Sequence, residues 1–151
     1  MPFEKMYFSG GANSIRAWNV RNLGPGSYSG GSQTRFPNQT GDIKLEANVE
    51  YRFKMFWVLE GALFVDAGNI WNLNSNEFEG GLFRQDEFFK EFAVGSGFGA
   101  RFDFSFVIFR LDLGVKLRDP ALTEGNRWIV GSRSLSWQND FTINIGIGYP
   151  F

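Results

Sequence analysis

Hydrophobic and polar residues alternate with a period of two over five stretches of the chain, most clearly between Asp42 and Lys54. In that stretch the even-numbered positions are all polar or charged, and the odd-numbered positions Ile43 to Phe53 are all apolar apart from the amphipathic Tyr51. Successive side chains of a β-strand point to opposite faces, whereas a helix would mix the two sets around its circumference. The pattern therefore predicts a strand with one charged face and one apolar face.

The same alternation predicts four further strands: Trp57–Asn69, Phe92–Phe104, Val107–Leu117 and Asp140–Phe151. Two very short turns alternate with two long polar loops, at about residues 70–91 and 118–139. Each strand has about 11–13 residues, against roughly 5–6 for an ordinary strand. Outer-membrane barrels combine long strands with short periplasmic turns and long outer loops.

Aromatic residues gather at the end of the predicted sheet that carries the short turns. They are Tyr51, Phe53, Phe56, Trp57, Phe102, Phe104, Phe106, Tyr149 and Phe151. Such a cluster is typical of the aromatic girdle at a membrane interface. A soluble antiparallel barrel or sandwich would also alternate, but the strand length, the aromatic edge and the loop pattern together favour a transmembrane antiparallel β-barrel. Five strands cannot close a barrel, so we expect the remaining strands on a longer parent chain or on other copies.

Composition excludes several classes of function. The net charge is −1 with no basic cluster, so nucleic acid is not an expected partner. Cysteine and histidine are both absent, which removes thiol and imidazole catalysis and the usual zinc ligands. Residues 95–100, GSGFGA, match a dinucleotide-binding pattern, but the strand alternation continues past them where that motif needs a helix. We therefore expect no cysteine- or histidine-dependent catalysis and no dinucleotide site at residues 95–100.

Two motifs point to a known family. Residues 10–18, GGANSIRAW, resemble the loop motif of the BamA/TamA superfamily, also called the bacterial surface antigen family, through Gly10, Gly11, Ile15, Arg16 and Trp18. Ala17 stands where that family usually has Gly, and Trp18 where Phe or Tyr is commoner. Residues 64–71, FVDAGNIW, are similar to the family's strand signature, aromatic-x-Asp-x-Gly-x-x-Trp. The resemblance covers essentially the whole chain.

The resemblance implies an architecture and one ion pair. Residues 1–41 would form a barrel loop that folds into the lumen, and residues 42–151 would form the last five of about sixteen strands. Arg16 of the loop would pair with Asp66, which lies on the polar, lumen-facing side of its strand; a guanidinium can bind a carboxylate with two hydrogen bonds. From the residues alone, a solvated Arg16 and an ordinary polar Asp66 remain an open alternative.

The end of the chain fits the terminal targeting signal of outer-membrane proteins. Asn144, Gly146, Tyr149 and Phe151 follow the order polar-x-Gly-x-x-aromatic-x-aromatic, which the barrel-assembly machinery reads as an added strand. The alternative is an aromatic girdle at a strand end. No signal segment opens the sequence, so an outer-membrane protein of this kind is expected to carry one on a longer parent chain.

The function that the resemblance implies is insertion of outer-membrane proteins or translocation of polypeptides, with membrane lipid and client polypeptides as partners. The resemblance also implies no enzyme activity, no metal and no cofactor. A passive porin-like or surface-anchoring barrel is the alternative, and a soluble lipid-binding barrel is a third. Periplasmic repeat domains on the parent chain would favour the first. The face assignment also predicts that Val49→Arg, towards lipid, blocks assembly and that Asn48→Arg, towards the lumen, is tolerated.

Overall fold

The regular structure of the chain is an antiparallel sheet of five strands. The computed structural model describes residues 5–28, 39–73 and 80–148, with strands β1 (Ile43–Phe56), β2 (Leu59–Trp71), β3 (Ala93–Asp103), β4 (Ile108–Arg118) and β5 (Phe141–Gly148). Each strand pairs with the next one in the sequence, so the order in the sheet is β1-β2-β3-β4-β5. The helical pieces in this part of the chain are a 3-10 turn, Phe88–Glu91, and a four-residue helix α1, Trp137–Asp140. None of the described helices is long and apolar enough to cross a membrane.

The connections alternate in length as the sequence predicts. Two residues join β1 to β2, with Trp57 at φ 45°, and residues 104–107 join β3 to β4 through a hydrogen bond from Phe104 N to Val107 O of 3.0 Å. Residues 72–92 and 119–140 form the long connections. The strand bounds differ from the predicted ones by one or two residues, because alternation does not say where pairing stops. The predicted end of the fifth strand, with Tyr149 and Phe151, lies outside the described residues.

Register divides the sheet into two faces. Asn48 stands opposite Asp66 in β1 and β2, and the polar face continues across the sheet through Phe64, Gly97, Gly114 and Thr142, which stand opposite one another in turn. Every residue one step along the chain belongs to the other face, which we call the apolar face. Its aliphatic side chains are open: Val49 is 70% exposed and Ile145 is 75% exposed.

The N-terminal part of the chain covers the polar face. Ile15, Ala17, Trp18 and Leu23 form a buried cluster with Ala93 of β3. Tyr7 and Gly41 exchange two hydrogen bonds of 2.8 Å, so Tyr7 lies beside the residues that lead into β1. The arrangement is the reverse of a soluble sheet, in which the apolar face is the one that packs against the rest of the protein.

The sheet is open. In the described residues, β1 and β5 each pair with a strand on one side only. The five strands do not close a barrel on their own, in agreement with the expectation from strand number.

Candidate functional site

The loop motif folds into a compact hairpin that we call the motif loop (residues 9–21). Gly11 N donates to Trp18 O at 2.7 Å, and Arg21 N donates to Ser9 O at 3.0 Å. Gly10 has a φ of 96°, and a Cβ there would lie 2.2 Å from Asn19 O. A side chain is disfavoured by both the backbone conformation and the space. The glycines of the motif therefore let the chain reverse tightly enough to present Arg16 at its tip.

Arg16 and Asp66 meet between the motif loop and β2. Arg16 Nε donates to Asp66 Oδ2 at 2.9 Å, and Arg16 Nη2 donates to Asp66 Oδ1 at 2.8 Å. The main-chain N–H of Arg16 adds a third bond to Oδ2 at 3.0 Å. The Arg16 side chain is 6% exposed and that of Asp66 is fully buried. This two-pronged geometry is one that lysine cannot reproduce.

A second carboxylate completes the surroundings of Arg16. Arg16 Nη1 donates to Glu50 on β1, and the guanidinium lies 3.6 Å from the centre of the Phe64 ring. Glu50 in turn accepts a bond from Arg101 of β3 at 2.7 Å. Burial by itself would lower the pKa of Arg16, but its hydrogen bonds to Asp66 and Glu50 outweigh burial and raise that pKa. The guanidinium is thus held as a cation by two strands.

Asn48 belongs to this cluster, which the sequence did not reveal. Its Nδ2 donates to Ser14 O at 2.9 Å and to Asp66 Oδ1 at 3.0 Å. Ser14 also donates through its hydroxyl to Glu46. These contacts change the expectation for Asn48→Arg: an arginine at that position would displace the amide that joins the loop to Asp66, so we expect the substitution to weaken the seating of the loop.

The other side of the loop tip rests on β4 and β5. The loop packs directly on the backbone of Gly114: a Cβ there would lie 2.7 Å from Arg16 O and 2.9 Å from Ala17 Cα. Thr142 Oγ1 donates to Ala17 O and Asn144 Nδ2 donates to Arg16 O, each at 2.9 Å. Arg110 donates to Ala12 O. With β3 contacting Ala17 near Gly95, all five strands touch the motif loop.

The remaining predicted residues fall in different places. Ile15 and Trp18 are buried residues of the motif loop itself, and Lys116 Nζ lies 5.1 Å from the centre of the Trp18 ring. Gly146 lies on the polar face opposite Arg110 and makes no contact with the motif loop. Of the four residues in the predicted terminal signal, Asn144 contacts the loop, whereas Tyr149 and Phe151 lie outside the described residues. In the sequence, only their positions on the polar face pointed to a contact of Glu50 and Thr142 with the motif loop.

The two long connections meet beside the end of β2. Trp71, the last residue of the strand signature, donates from Nε1 to Glu91 Oε2 at 2.6 Å and packs against Phe83, Phe88 and Phe92. Burial raises the pKa of Glu91 despite that bond. Arg127 of the second connection donates to Lys90 O at 2.9 Å. The loops at about residues 70–91 and 118–139 thus contact each other.

The charged side chains of the site are paired with one another. No cluster of three or more histidine, cysteine, aspartate or glutamate residues suited to a metal occurs in residues 5–28, 39–73 and 80–148. The carboxylates of the polar face instead lie against arginines, as Asp112 does with Arg110 and Glu50 with Arg101. The arrangement is suited to holding a loop.

Comparison with known proteins identifies the family. No curated protein matches the chain. The family model described as the Omp85 superfamily domain matches residues 1–151, which is the whole chain. The resemblance drawn from the loop and strand motifs is confirmed at this level. The chain belongs to the Omp85 superfamily.

Proposed function

We propose that this chain is the C-terminal part of an outer-membrane β-barrel that inserts other outer-membrane proteins or translocates polypeptides. At the level of the superfamily, the function is insertion or translocation of proteins at the bacterial outer membrane, without enzymatic chemistry. The proposal adds that residues 42–151 are five strands of about sixteen and that residues 1–41 are a loop held in the lumen.

The observation that carries the proposal is the reversed packing of the sheet. Buried ion pairs and the motif loop lie on the polar face, while Val49, Leu63 and Ile145 on the apolar face are 70%, 53% and 75% exposed. Large exposed apolar patches mark surfaces that contact a membrane or another protein. Lipid on the apolar face and water or protein on the polar face account for both sides together.

The two open edges support a larger barrel. An unpaired strand edge in lipid costs several kcal/mol for each unsatisfied backbone group, so β1 and β5 need partners. We assign these to the missing strands of the parent chain, or to other copies when the piece is alone. A client polypeptide would then meet the barrel where β5 joins the missing first strand. We also propose that the barrel-assembly machinery recognises the C-terminal residues Asn144, Gly146, Tyr149 and Phe151.

The membrane assignment is tested by placing the same substitution on two exposed valines. Val49 lies in β1 and Val130 in the second long connection, and they are 70% and 54% exposed. In water, arginine would be harmless at either position. In lipid, arginine near the bilayer midplane costs about 2–4 kcal/mol. Val49→Arg should therefore abolish assembly of the parent protein into membranes, whereas Val130→Arg should leave the assembled amount unchanged. Equal assembly of both variants would contradict a membrane position for this face.

The function itself is tested with the purified parent protein in lipid vesicles. We expect the parent to accelerate folding of an unfolded outer-membrane protein into those vesicles, measured by the protease-protected fraction with time. Vesicles without the parent protein give the unassisted rate of folding. A passive pore or surface anchor would leave client folding at the rate of empty vesicles, and that result would overturn the proposal in favour of the alternative.

A further inference from the structure

A change of register at the end of β4 turns a basic residue onto the apolar face. Lys116 of β4 stands opposite Gly95 of β3 on the polar face. Beyond that pair the register shifts by one residue, so that Arg118 stands opposite Val94. Val94 lies opposite Ala67 of β2 on the apolar face, and residues that stand opposite one another share a face. An arginine therefore lies on the apolar face at the end where the two long connections begin.

Arg118 and Arg127 converge there on one carbonyl oxygen. Arg118 donates to Phe92 O and to Lys90 O, and Arg127 donates to Lys90 O at 2.9 Å. A neutral carbonyl orients a guanidinium but does not neutralise its charge. Lys90 itself carries a third cation on an exposed side chain. We call Lys90, Arg118 and Arg127 the cation cluster.

Within the part of the chain that the structure describes, no member of the cation cluster forms an ion pair with a carboxylate. Glu91, the residue after Lys90, instead accepts a bond from Trp71 Nε1 at 2.6 Å. Cations that lie close together repel one another, and an anion among them removes that repulsion. A guanidinium has five N–H donors, of which Arg118 uses two on carbonyls. The remaining donors suit the oxygens of a phosphate group.

The surroundings of the cation cluster fit a lipid better than a free anion. Trp128 stands opposite Arg118, with its ring centre 5.7 Å from the guanidinium, and is 54% exposed. Tryptophan is enriched where a membrane meets water, because its amphipathic ring sits at the level of the lipid headgroups. Farther along the apolar face, Val65 and Phe98 are exposed. A free anion would contact the charges alone, whereas a lipid would also contact the tryptophan and the apolar side chains.

We propose that Lys90, Arg118 and Arg127 bind the phosphate headgroup of a membrane lipid at the outer end of the apolar face. The proposal rests on the membrane position that the proposed function gives to this face. The phosphate lies among the basic side chains, Trp128 lies beside the headgroup, and the acyl chains follow the apolar face towards the short turns.

Native mass spectrometry of the parent protein tests the lipid site. The parent is assembled in vesicles of equimolar phosphatidylcholine and phosphatidic acid and extracted into a neutral detergent, and the retained lipids are counted by mass. We expect phosphatidic acid to be retained in preference to phosphatidylcholine. Arg118→Gln and Arg127→Gln should each lower the ratio of the two about fivefold, the contribution of one basic residue near anionic lipid.

Arg84→Gln is the matched control. Arg84 is an exposed arginine of the same connection as Lys90, but it is paired with Glu87, so its loss should leave the ratio unchanged. An equal fall in Arg84→Gln would assign the preference to net charge and overturn the site. If the arginine variants do not assemble, Lys90→Gln decides, because it keeps both shared carbonyl contacts and should still lower the ratio.

Two further results would overturn the lipid site. One is an unchanged ratio in Arg118→Gln and Arg127→Gln. The other is loss of phosphatidic acid from the extracted parent when inorganic phosphate is added at the same concentration as the lipid, which would indicate a site for free phosphate. Retention is measured without a client, so a parent that retains phosphatidic acid but does not accelerate client folding refutes the proposed function and leaves the lipid site standing.

Discussion

Two arginine–aspartate forks in this chain have the same bond lengths and very different surroundings. Arg16 reaches both oxygens of Asp66 at 2.8 and 2.9 Å, and Arg133 reaches both oxygens of Asp140 at the same two distances. The Arg16 side chain is 6% exposed and the Arg133 side chain is 42% exposed. The first fork joins residues 50 positions apart, and the second joins residues 7 apart.

Water and sequence separation decide what each fork contributes. Ion pairs with an exposed partner contribute about 0–1 kcal/mol, whereas removing one partner of a buried pair costs about 3–5 kcal/mol. The buried fork also connects the motif loop to β2. The exposed fork joins two residues of the connection that precedes β5. The same kind of ion pair therefore holds a tertiary contact in one place and a local turn in the other.

Removing the buried fork should have the largest effect. In the parent protein, Arg16→Ala and Asp66→Ala should each lower the free energy of unfolding by about 3–5 kcal/mol, because each leaves its partner charged and buried. The double variant should be little worse than either single one. Arg16→Lys should recover only part of the loss, since an ammonium cannot bind Asp66 through two nitrogens and Glu50 through a third. Urea unfolding of the assembled protein measures all four.

Additive losses in the double variant would show that Arg16 and Asp66 act independently. Asp66 still accepts hydrogen bonds from Asn48 Nδ2 and from the Arg16 main-chain N–H when the guanidinium is lost. We therefore expect Arg16→Ala to be the milder of the two single variants.

The close packing of the motif loop on Gly114 gives the second prediction. Gly114→Ala in β4 would place a Cβ 2.7 Å from Arg16 O. Gly146 lies on the polar face too, in β5, and there a Cβ would meet nothing nearer than Arg110 Cβ at 3.7 Å. Overpacking a filled site costs about 1–3 kcal/mol. Gly114→Ala should thus make the motif loop more sensitive to protease in the assembled protein, and Gly146→Ala should not. Equal protection in both variants would mean that the loop does not rest on Gly114.

The exposed fork gives the smallest effect, and its sign follows from the pKa of Asp140. Burial alone would raise that pKa, but hydrogen bonds from Arg133 and from the main-chain N–H of Ser136 outweigh burial and lower it. A depressed folded-state pKa contributes stability above the unfolded value, and the contribution is lost as the pH falls through the folded value. The protection factors of the amides in residues 132–140, which correct for the intrinsic pH dependence of exchange, should therefore fall on acidification.

Arg133→Ala should lower the local stability of residues 132–140 by less than about 1 kcal/mol at neutral pH, because its guanidinium is well exposed. It should also weaken the dependence of that stability on pH. Arg84→Ala removes another exposed pair, Arg84–Glu87, and should leave exchange in residues 132–140 unchanged. A response to pH in Arg133→Ala as large as in the unaltered protein would assign the effect to the Ser136 bond instead.

Much of the fold was predictable because strand alternation is local. Side chains one residue apart point to opposite faces whatever the rest of the chain does, so the polar and apolar faces of β1 and β4 follow from reading the residues in order. The pair Arg16 and Asp66 was predictable only through the family resemblance of the two motifs. Asn48 and Thr142 were not, since their contact with the loop depends on the register of strands far apart in sequence.

The sequence by itself determined five strands, their two faces, the alternation of short and long connections and the absence of cysteine and histidine chemistry. Tertiary structure alone decided which polar residues meet: Glu50 beside Arg16, Asn48 between Ser14 and Asp66, and Thr142 and Asn144 on the loop backbone. The physical reason is one of range. The direction of a side chain is set by its own strand, but its partner is set by register and by where a loop returns, and both depend on contacts across 30 to 130 residues of sequence.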